Sequence, residues 1–440
     1  MSAGDCALLP VVGGDLTVPL IDGSQTRYIN LDYAASSPAL ESVARHVTEV
    51  LPLYASVHRG AGYASQVSTA AYENARTVVG EFVGARQNDL VIFTRNTTDS
   101  LNLLAGVVPG ETVVLDIEHH ANLLPWTTDA GRVVVAGPTI EETVQRVDTE
   151  LASRPAALLT VTGASNVTGE RMPLRALATI AHRYGTRLAV DGAQLVPHRR
   201  INLMLEGVDY LAFSGHKTYA PFGAGVLVGR SDWLDRGEPY LKGGGAVTAV
   251  TTEASTWRTG PARHEAGSPN VIGVLALASA LRSLSELDPV AWEGHESALR
   301  RRLSDGLSAL PGVHVHRIFP DSTDAVGVVS FSIDGVDSRL LATVLSAERG
   351  IGVRDGKFCA HPLLERLGIS GPALRASVGV GSTGDDVDAL IDGVSQFIAD
   401  GARGRYELID GQWVAQDDHR PRPDWAPELD PEHAWYGCAA

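Results

Sequence analysis

The sequence predicts an α/β fold: a large domain with a mostly parallel central sheet between helices, followed by a smaller α+β C-terminal domain. Short apolar runs alternate with stretches of helical period from about Asn30 to Gly229. Polar residues follow those runs at the positions where open α/β sheets collect ligands. After Glu293 the pattern changes to long amphipathic helices with only a few strands. With 440 residues, 44% of them apolar, the chain is long enough to bury the cores that two domains need.

In chain order, residues 1–25 are expected to form a segment packing on the small domain, and residues 26–290 the large domain. Leu90–Thr94 is strand-like and precedes a helical Asp99–Leu104. Val113–Leu115, Ala157–Val161, Leu188–Val190, Tyr210–Phe213 and Val226–Val228 read as buried strands. Pro173–Tyr184 has helical spacing, with proline in its first turn. The turn-rich Glu265-Ala-Gly-Ser-Pro-Asn270 precedes a helical Val271–Leu284. Residues 291–400 form the small domain, with strands at Gly327–Ile333 and Leu374–Val380. Residues 401–440 carry four prolines together with Trp413, Trp425 and Trp435. That is too aromatic for a solvated linker, so the tail is expected to pack on its own subunit or on a neighbour.

The formal charge of −16 disfavours nucleic acid and anionic membrane surfaces as partners. No apolar run approaches the ~18 residues of a membrane span, and the N-terminus lacks the basic segment of a signal peptide. A cytoplasmic location is expected. Cys6, Cys359 and Cys438 are too far apart for a CxxC motif, and their odd number argues against a disulfide framework. The His119–His120 pair has no histidine at i+4 and no nearby cysteine, so no metal is expected.

The most informative segment is Leu188-Ala-Val-Asp191-Gly-Ala-Gln194, followed by Phe213-Ser214-Gly-His216-Lys217. Either charged residue alone reads as an ordinary solvated strand end. Together they supply a carboxylate able to hold a protonated ring nitrogen and an amine able to form a Schiff base with an aldehyde. Pyridoxal phosphate (PLP) chemistry needs both. Two other matches carry less. Gly379-Val-Gly381-Ser-Thr-Gly384 is a literal GxGxxG, but no second strand of a βαβ unit follows it. Ser214-Gly-His-Lys217-Thr218 lacks the upstream glycine of a phosphate-binding P-loop.

These motifs resemble fold-type I PLP enzymes of the class V aminotransferase family, in particular the cysteine desulfurase and selenocysteine lyase group. The resemblance runs from Asn30-Leu-Asp-Tyr-Ala-Ala35 to about Val394. It takes in Val57-His58-Arg59-Gly60, Phe93-Thr-Arg-Asn-Thr97-Thr98, Glu118-His119-His120-Ala-Asn122-Leu-Leu-Pro-Trp126, Ser165-Asn166-Val-Thr-Gly169, Glu265 through Asn270, and Arg354 through Cys359 to Arg375. It implies the PLP-dependent transferase fold, the PLP cofactor, and removal of sulfur from L-cysteine to give L-alanine.

By that resemblance Lys217 is the Schiff-base lysine, Asp191 holds the pyridinium nitrogen, Gln194 the ring's phenolic oxygen, and His119 stacks on the ring. Thr97, Thr98, Ser214 and His216 would hold the phosphate, joined by Ser268 from the other subunit of a homodimer. Cys359 would form the persulfide that passes to an acceptor protein. The two residues before it, histidines in close relatives, are Lys357 and Phe358 here. Arg375 would clamp the substrate carboxylate, a geometry that suits a planar guanidinium. Asn166, His58 and Arg354 complete the expected substrate pocket. Two alternatives stand beside this reading: an aminotransferase, epimerase or C–S lyase acting on another amino acid, and a non-catalytic scaffold on the same fold.

Overall fold

The computed structural model describes residues 4–126, 131–416 and 418–426. A seven-stranded sheet is built from β1 (Asp89–Thr94), β2 (Thr112–Leu115), β3 (Gly131–Val134), β4 (Leu158–Thr162), β5 (Arg187–Asp191), β6 (Tyr210–Ser214) and β7 (Gly225–Arg230). Their spatial order is β1-β7-β6-β5-β4-β2-β3. Every residue of β2, β4 and β6 is buried, as expected of strands covered on both faces. The pairs from β6 through β3 are parallel. β7 departs from this, running antiparallel to both β6 and β1. The link 215–224 is too short for the dozen or more residues of a crossover, so the chain turns back beside β6. Because β7 separates β1 from β6, β1 still points the same way as β6. The C-terminal ends of β1, β2, β4, β5 and β6 therefore share one edge.

Helices cover both faces of this sheet, among them α1 (Tyr63–Phe82), α2 (Thr97–Ala105), the short α3 (His120–Leu123), α4 (Ile140–Ser153), α5 (Leu174–Arg183) and α6 (Val271–Ser285). α2 begins at Thr97, earlier than its apolar period suggests, because the Asn96 side chain accepts the Asp99 N–H and caps it. A Cβ on Gly225 would come within 2.5 Å of the Asn96 backbone. Glycine there lets β7 press against the start of α2.

A second sheet, β8 (Val313–Val315), β9 (Val328–Ile333), β10 (Arg354–Gly356) and β11 (Ala373–Ser377), is antiparallel, in the order β8-β9-β11-β10. With α7 (Pro289–Ser308), α8 (Ser338–Arg349) and α9 (Gly384–Asp400) it encloses its own core, which Ile29 and Leu31 join from the N-terminal side. The GxGxxG segment serves packing. A Cβ on Gly379 or Gly381 would strike Tyr33, and Thr383 and Asp386 form the capping box of α9.

The tail continues as a hairpin, β12 (Tyr406–Ile409) and β13 (Gln412–Ala415), laid on α8. Trp413 Nε1 donates to Asp337 Oδ2 at 2.9 Å, and Arg339 Nη1 donates to the Gly411 carbonyl at 2.8 Å. Glu348 accepts the backbone N–H groups of Arg403 and Gly404 at 2.9 and 2.8 Å. Trp425 is 85% exposed. Trp435 and Cys438 lie outside the described residues. No helix among the described residues is long and apolar enough to cross a membrane.

Candidate active site

The shared strand edge opens into a cavity of about 900 Å³. Its inner end is lined by Thr97, Thr98, His119, Asn166, Asp191, Gln194, Ser214, His216 and Lys217, and further out by Arg354, Cys359 and Arg375. Twelve of the fourteen residues singled out from the sequence thus share one cavity. The other two lie elsewhere on their own chain. His58 takes a left-handed φ of 65° and donates from Nε2 to Glu73 Oε1 at 2.8 Å, so a carboxylate on α1 holds its ring away from the cavity. Ser268 is exposed on the loop before α6.

Asp191 ends β5 and is buried, with Oδ1 accepting the Ala193 N–H at 2.9 Å. Burial raises its pKa; that hydrogen bond and the charge of Lys217 work against the rise. Lys217 follows β6 in a single 3-10 turn, and its ammonium is pushed down to about 8 by burial and then by Arg375, with Asp191 opposing. Gln194 donates from Nε2 to the Ala34 carbonyl at 2.7 Å, while its buried Oε1 has no hydrogen-bond partner among the described residues.

His119 is the N-cap of α3: Nδ1 accepts the Ala121 N–H at 3.0 Å, which places any single ring proton on Nε2. Burial, aided by Lys217, pulls its pKa down to about 3, so the imidazole is neutral near pH 7. Beneath it, Glu118 accepts the Thr162 N–H at 2.9 Å and the Asn122 Nδ2 at 2.7 Å. Asn122 Oδ1 in turn accepts from Thr160 Oγ1 and Trp126 Nε1. Burial raises the Glu118 carboxyl to about 8. The Glu118–Trp126 motif is thereby explained, with one residue facing the cavity and three fixing it from behind. Apart from His119, sequence reasoning gave these residues no role. Glutamate and asparagine at i and i+4 within an apolar stretch were the available signal.

At the other inner wall, Ser214 Oγ accepts the Thr97 N–H at 2.7 Å and lies 2.6 Å from Thr97 Oγ1, tying α2 to the end of β6. The N-terminus of α2 points its partial positive charge into the cavity, with the Thr98 side chain beside it. His216 Nδ1 meets Ser36 Oγ at 2.7 Å, and burial lowers its pKa to about 4.

Arg375, on β11, donates from Nη1 to the Asn166 carbonyl at 3.0 Å and from Nη2 to Asp32 Oδ1 at 3.2 Å; its buried Nε has no partner among the described residues. Asp32 was not singled out from the sequence, although it sits inside the quoted Asn30–Ala35 stretch. The guanidinium also stands 5.1 Å from the centre of the Phe358 ring. Phe358 and Cys359 are successive non-glycine residues in the left-handed region, at φ 55° and 52°. Such backbone persists only where its surroundings fix it. Here Asn166 Nδ2 donates to the Phe358 carbonyl and the His120 N–H to the Cys359 carbonyl, both at 2.8 Å. Cys359 is a thiol lining the cavity.

The geometry suits PLP on this structure's own terms. The buried Asp191 carboxylate can accept from a protonated ring nitrogen and the second Nε2 hydrogen of Gln194 can serve a ring oxygen, beside a lysine of lowered pKa and the N-terminus of α2. Among the described residues, no cluster of three or more potential metal ligands occurs.

Comparison with known proteins agrees with this geometry. The aminotransferase class-V family matches residues 29–390. The cysteine desulfurase of Haloferax volcanii is 35% identical over 398 residues, covering 87% of this chain and 92% of that protein. The cysteine desulfurase CsdA of Escherichia coli is 36% identical over 383 residues, covering 84% of this chain and 94% of that one. Among solved structures, the cysteine desulfurase of Thermococcus onnurineus superposes with a TM-score of 0.77 at 32% identity, covering 84% of this chain and 95% of that one. On the extent of the family match and of these likenesses, this chain belongs to the aminotransferase class-V family.

Proposed function

We propose that the protein is a PLP-dependent cysteine desulfurase, removing sulfur from L-cysteine to leave L-alanine and a persulfide on Cys359. The observation that carries this reading is the gathering of Lys217, Asp191, Arg375 and Cys359 in one cavity, supported by relatives that carry that name at about 35% identity over most of the chain. PLP, when bound, supplies an aldehyde for the substrate amine and an electron sink for the Cα carbanion. Asp191 would hold its ring nitrogen, Gln194 its ring oxygen, His119 its face, and Thr97, Thr98, Ser214 and His216 its phosphate.

The chain's own groups then divide the work. Arg375 binds the substrate carboxylate together with Asn166, and Arg354 stands beside it at the cavity wall. Lys217 Nζ, with its pKa near the working pH, takes the Cα proton. Cys359 Sγ bonds to the substrate sulfur as the substrate's Cβ–Sγ bond breaks; the electron pair stays with carbon and is protonated. The persulfide would then pass to an acceptor protein. We further propose a cytoplasmic homodimer in which Ser268 of one subunit reaches the phosphate end of its neighbour's cavity; its exposure and its absence from its own cavity support that reading.

The test is to incubate the PLP-loaded protein with L-cysteine and a reductant and to assay alanine, pyruvate and sulfide together. Alanine and sulfide in equal amounts are expected. Pyruvate with sulfide would assign the protein to C–S lyases, and a keto acid retaining sulfur would assign it to aminotransferases.

A further inference from the structure

The hairpin β12–β13 lies beyond the family-matched residues 29–390, yet Asp410, Gly411, Gln412 and Trp413 line the same cavity as Lys217. It is a fixed wall. Trp413 is bonded to Asp337, Arg339 holds the Gly411 carbonyl, and Tyr406 Oη donates to Glu348 Oε1 at 3.0 Å. Arg354 and Asp355 of β10 line the same cavity. The mouth is thus an outer lobe lined by the guanidinium groups of Arg354 and Arg339, the latter paired with Asp337, the Lys357 ammonium, two carboxylates, an amide and an indole. Neither the Gln412 amide nor the Arg354 guanidinium has a side-chain hydrogen bond among the described residues. A cavity of about 900 Å³ is near the upper end of the range for small-molecule sites, so a three-carbon amino acid held by Arg375, Asn166 and Lys217 leaves room on the hairpin side, with Arg354 at the boundary between the two.

We propose that the C-terminal hairpin is a specificity element, making the outer lobe a subsite for a second zwitterionic head on S-substituted cysteines of the thioether or disulfide class. Mixed charge is the reason. A lone carboxylate would meet Asp355 and Asp410 as well as the cations, and a lone ammonium would meet Arg354, Arg339 and Lys357 as well as the carboxylates. An α-amino-acid head offers each side its complement, and the Gln412 amide adds a hydrogen bond that either end can use. The inference rests on the reading of the inner cavity as an amino-acid site.

L-Cystathionine and S-methyl-L-cysteine share the inner head and the thioether but differ in the second head. Their dissociation constants, from titration calorimetry with PLP-loaded protein, give a ratio that reports the outer lobe alone. In the wild type, cystathionine should bind about tenfold tighter or better, the yield of one charge-assisted contact. Gln412→Ala, at a partly exposed position that makes only backbone pairs in the hairpin, should cut that ratio to about threefold or less, and Trp413→Ala, which unpins the wall, should do the same. Equal binding of the two ligands by the wild type would overturn the proposal, as would an undiminished ratio in both variants. Binding of neither ligand, with L-cysteine also unbound, would sink the amino-acid reading and the subsite with it; L-cysteine binding without discrimination would sink the subsite alone.

Discussion

The Lys217 side of the cavity and the Cys359 side meet across Asn166 and Arg375, yet they rest on different kinds of backbone. Asp191, Ser214, His216 and Lys217 stand at or just beyond the ends of buried strands whose neighbours are paired on both sides. Cys359 stands in a loop with two consecutive left-handed residues, held by hydrogen bonds from Asn166 and His120 and by packing of Phe358 under Arg375. A strand end fixes a group because moving it would break a sheet. A strained loop fixes it only as firmly as a few contacts allow. That difference suits the two tasks, since a ring must be held still while a thiol must reach a sulfur and then carry it outward.

The largest expected effect strikes the rigid side. Lys217→Ala should abolish the visible Schiff-base absorbance and cut alanine formation by about 10²–10⁴-fold, with little change in the melting curve; retained absorbance would place the linkage on another residue. Arg375→Gln probes the seam. It removes the carboxylate clamp and leaves Asp32 without its ion pair, so KM for cysteine should rise about 30- to 100-fold, the equivalent of about 2–3 kcal/mol, and thermal stability should fall as well. A rise in KM without loss of stability would show Asp32 to be indifferent to its partner.

The pH dependence separates the lysine from an ordinary surface one. Its lowered pKa means that the free amine grows with pH only up to about 8. At pH 7 about a tenth of Lys217 is unprotonated, against roughly 3 in 10⁴ for an unperturbed lysine. The rate of PLP uptake by cofactor-stripped protein should therefore climb about tenfold per unit below pH 8 and level off above it; a climb continuing toward pH 10 would contradict the desolvated site. The smallest effect belongs to the loop. Asn166→Ala removes the hydrogen bond to the Phe358 carbonyl at a cost of about 1 kcal/mol, and alkylation of Cys359 by a small thiol reagent should speed up a few-fold. An unchanged rate would mean that His120 alone holds the loop.

The same contrast explains what could be read from the sequence. Strands with continuous apolar runs, and the polar residues that end them, are local patterns, so the sheet, Asp191 and Lys217 were legible without coordinates, while Gln194 and His216 came with the family resemblance. The reversal of β7 was not, because an apolar run carries no sign of its direction; the short link 215–224 was the available clue. Asp32 escaped notice because its role depends on Arg375, far along the chain, and no spacing rule joins the two. Glu118 and Asn122 were visible as a motif, but their work under His119 is a matter of burial. The tail's expected packing holds for the hairpin carrying Trp413 but not for the exposed Trp425, and the hairpin's place at the cavity mouth depends on Asp337 and Arg339, far back along the chain. That His58 would stand outside its own chain's cavity was not legible either, because it depends on Glu73, on the helix beside it, which holds the ring.

The most direct test of the division between a rigid lysine and a sulfur-carrying loop is intact-mass analysis after brief exposure of PLP-loaded protein to L-cysteine without reductant. The wild type should gain the mass of one sulfur atom, mapped by peptide analysis to Cys359 and released by a thiol, with alanine formed in equal amount. Cys359→Ser should keep its absorbance and gain no sulfur. Sulfur on Cys6 or Cys438 instead, or alanine formed at the same rate by the Cys359→Ser protein, would contradict it.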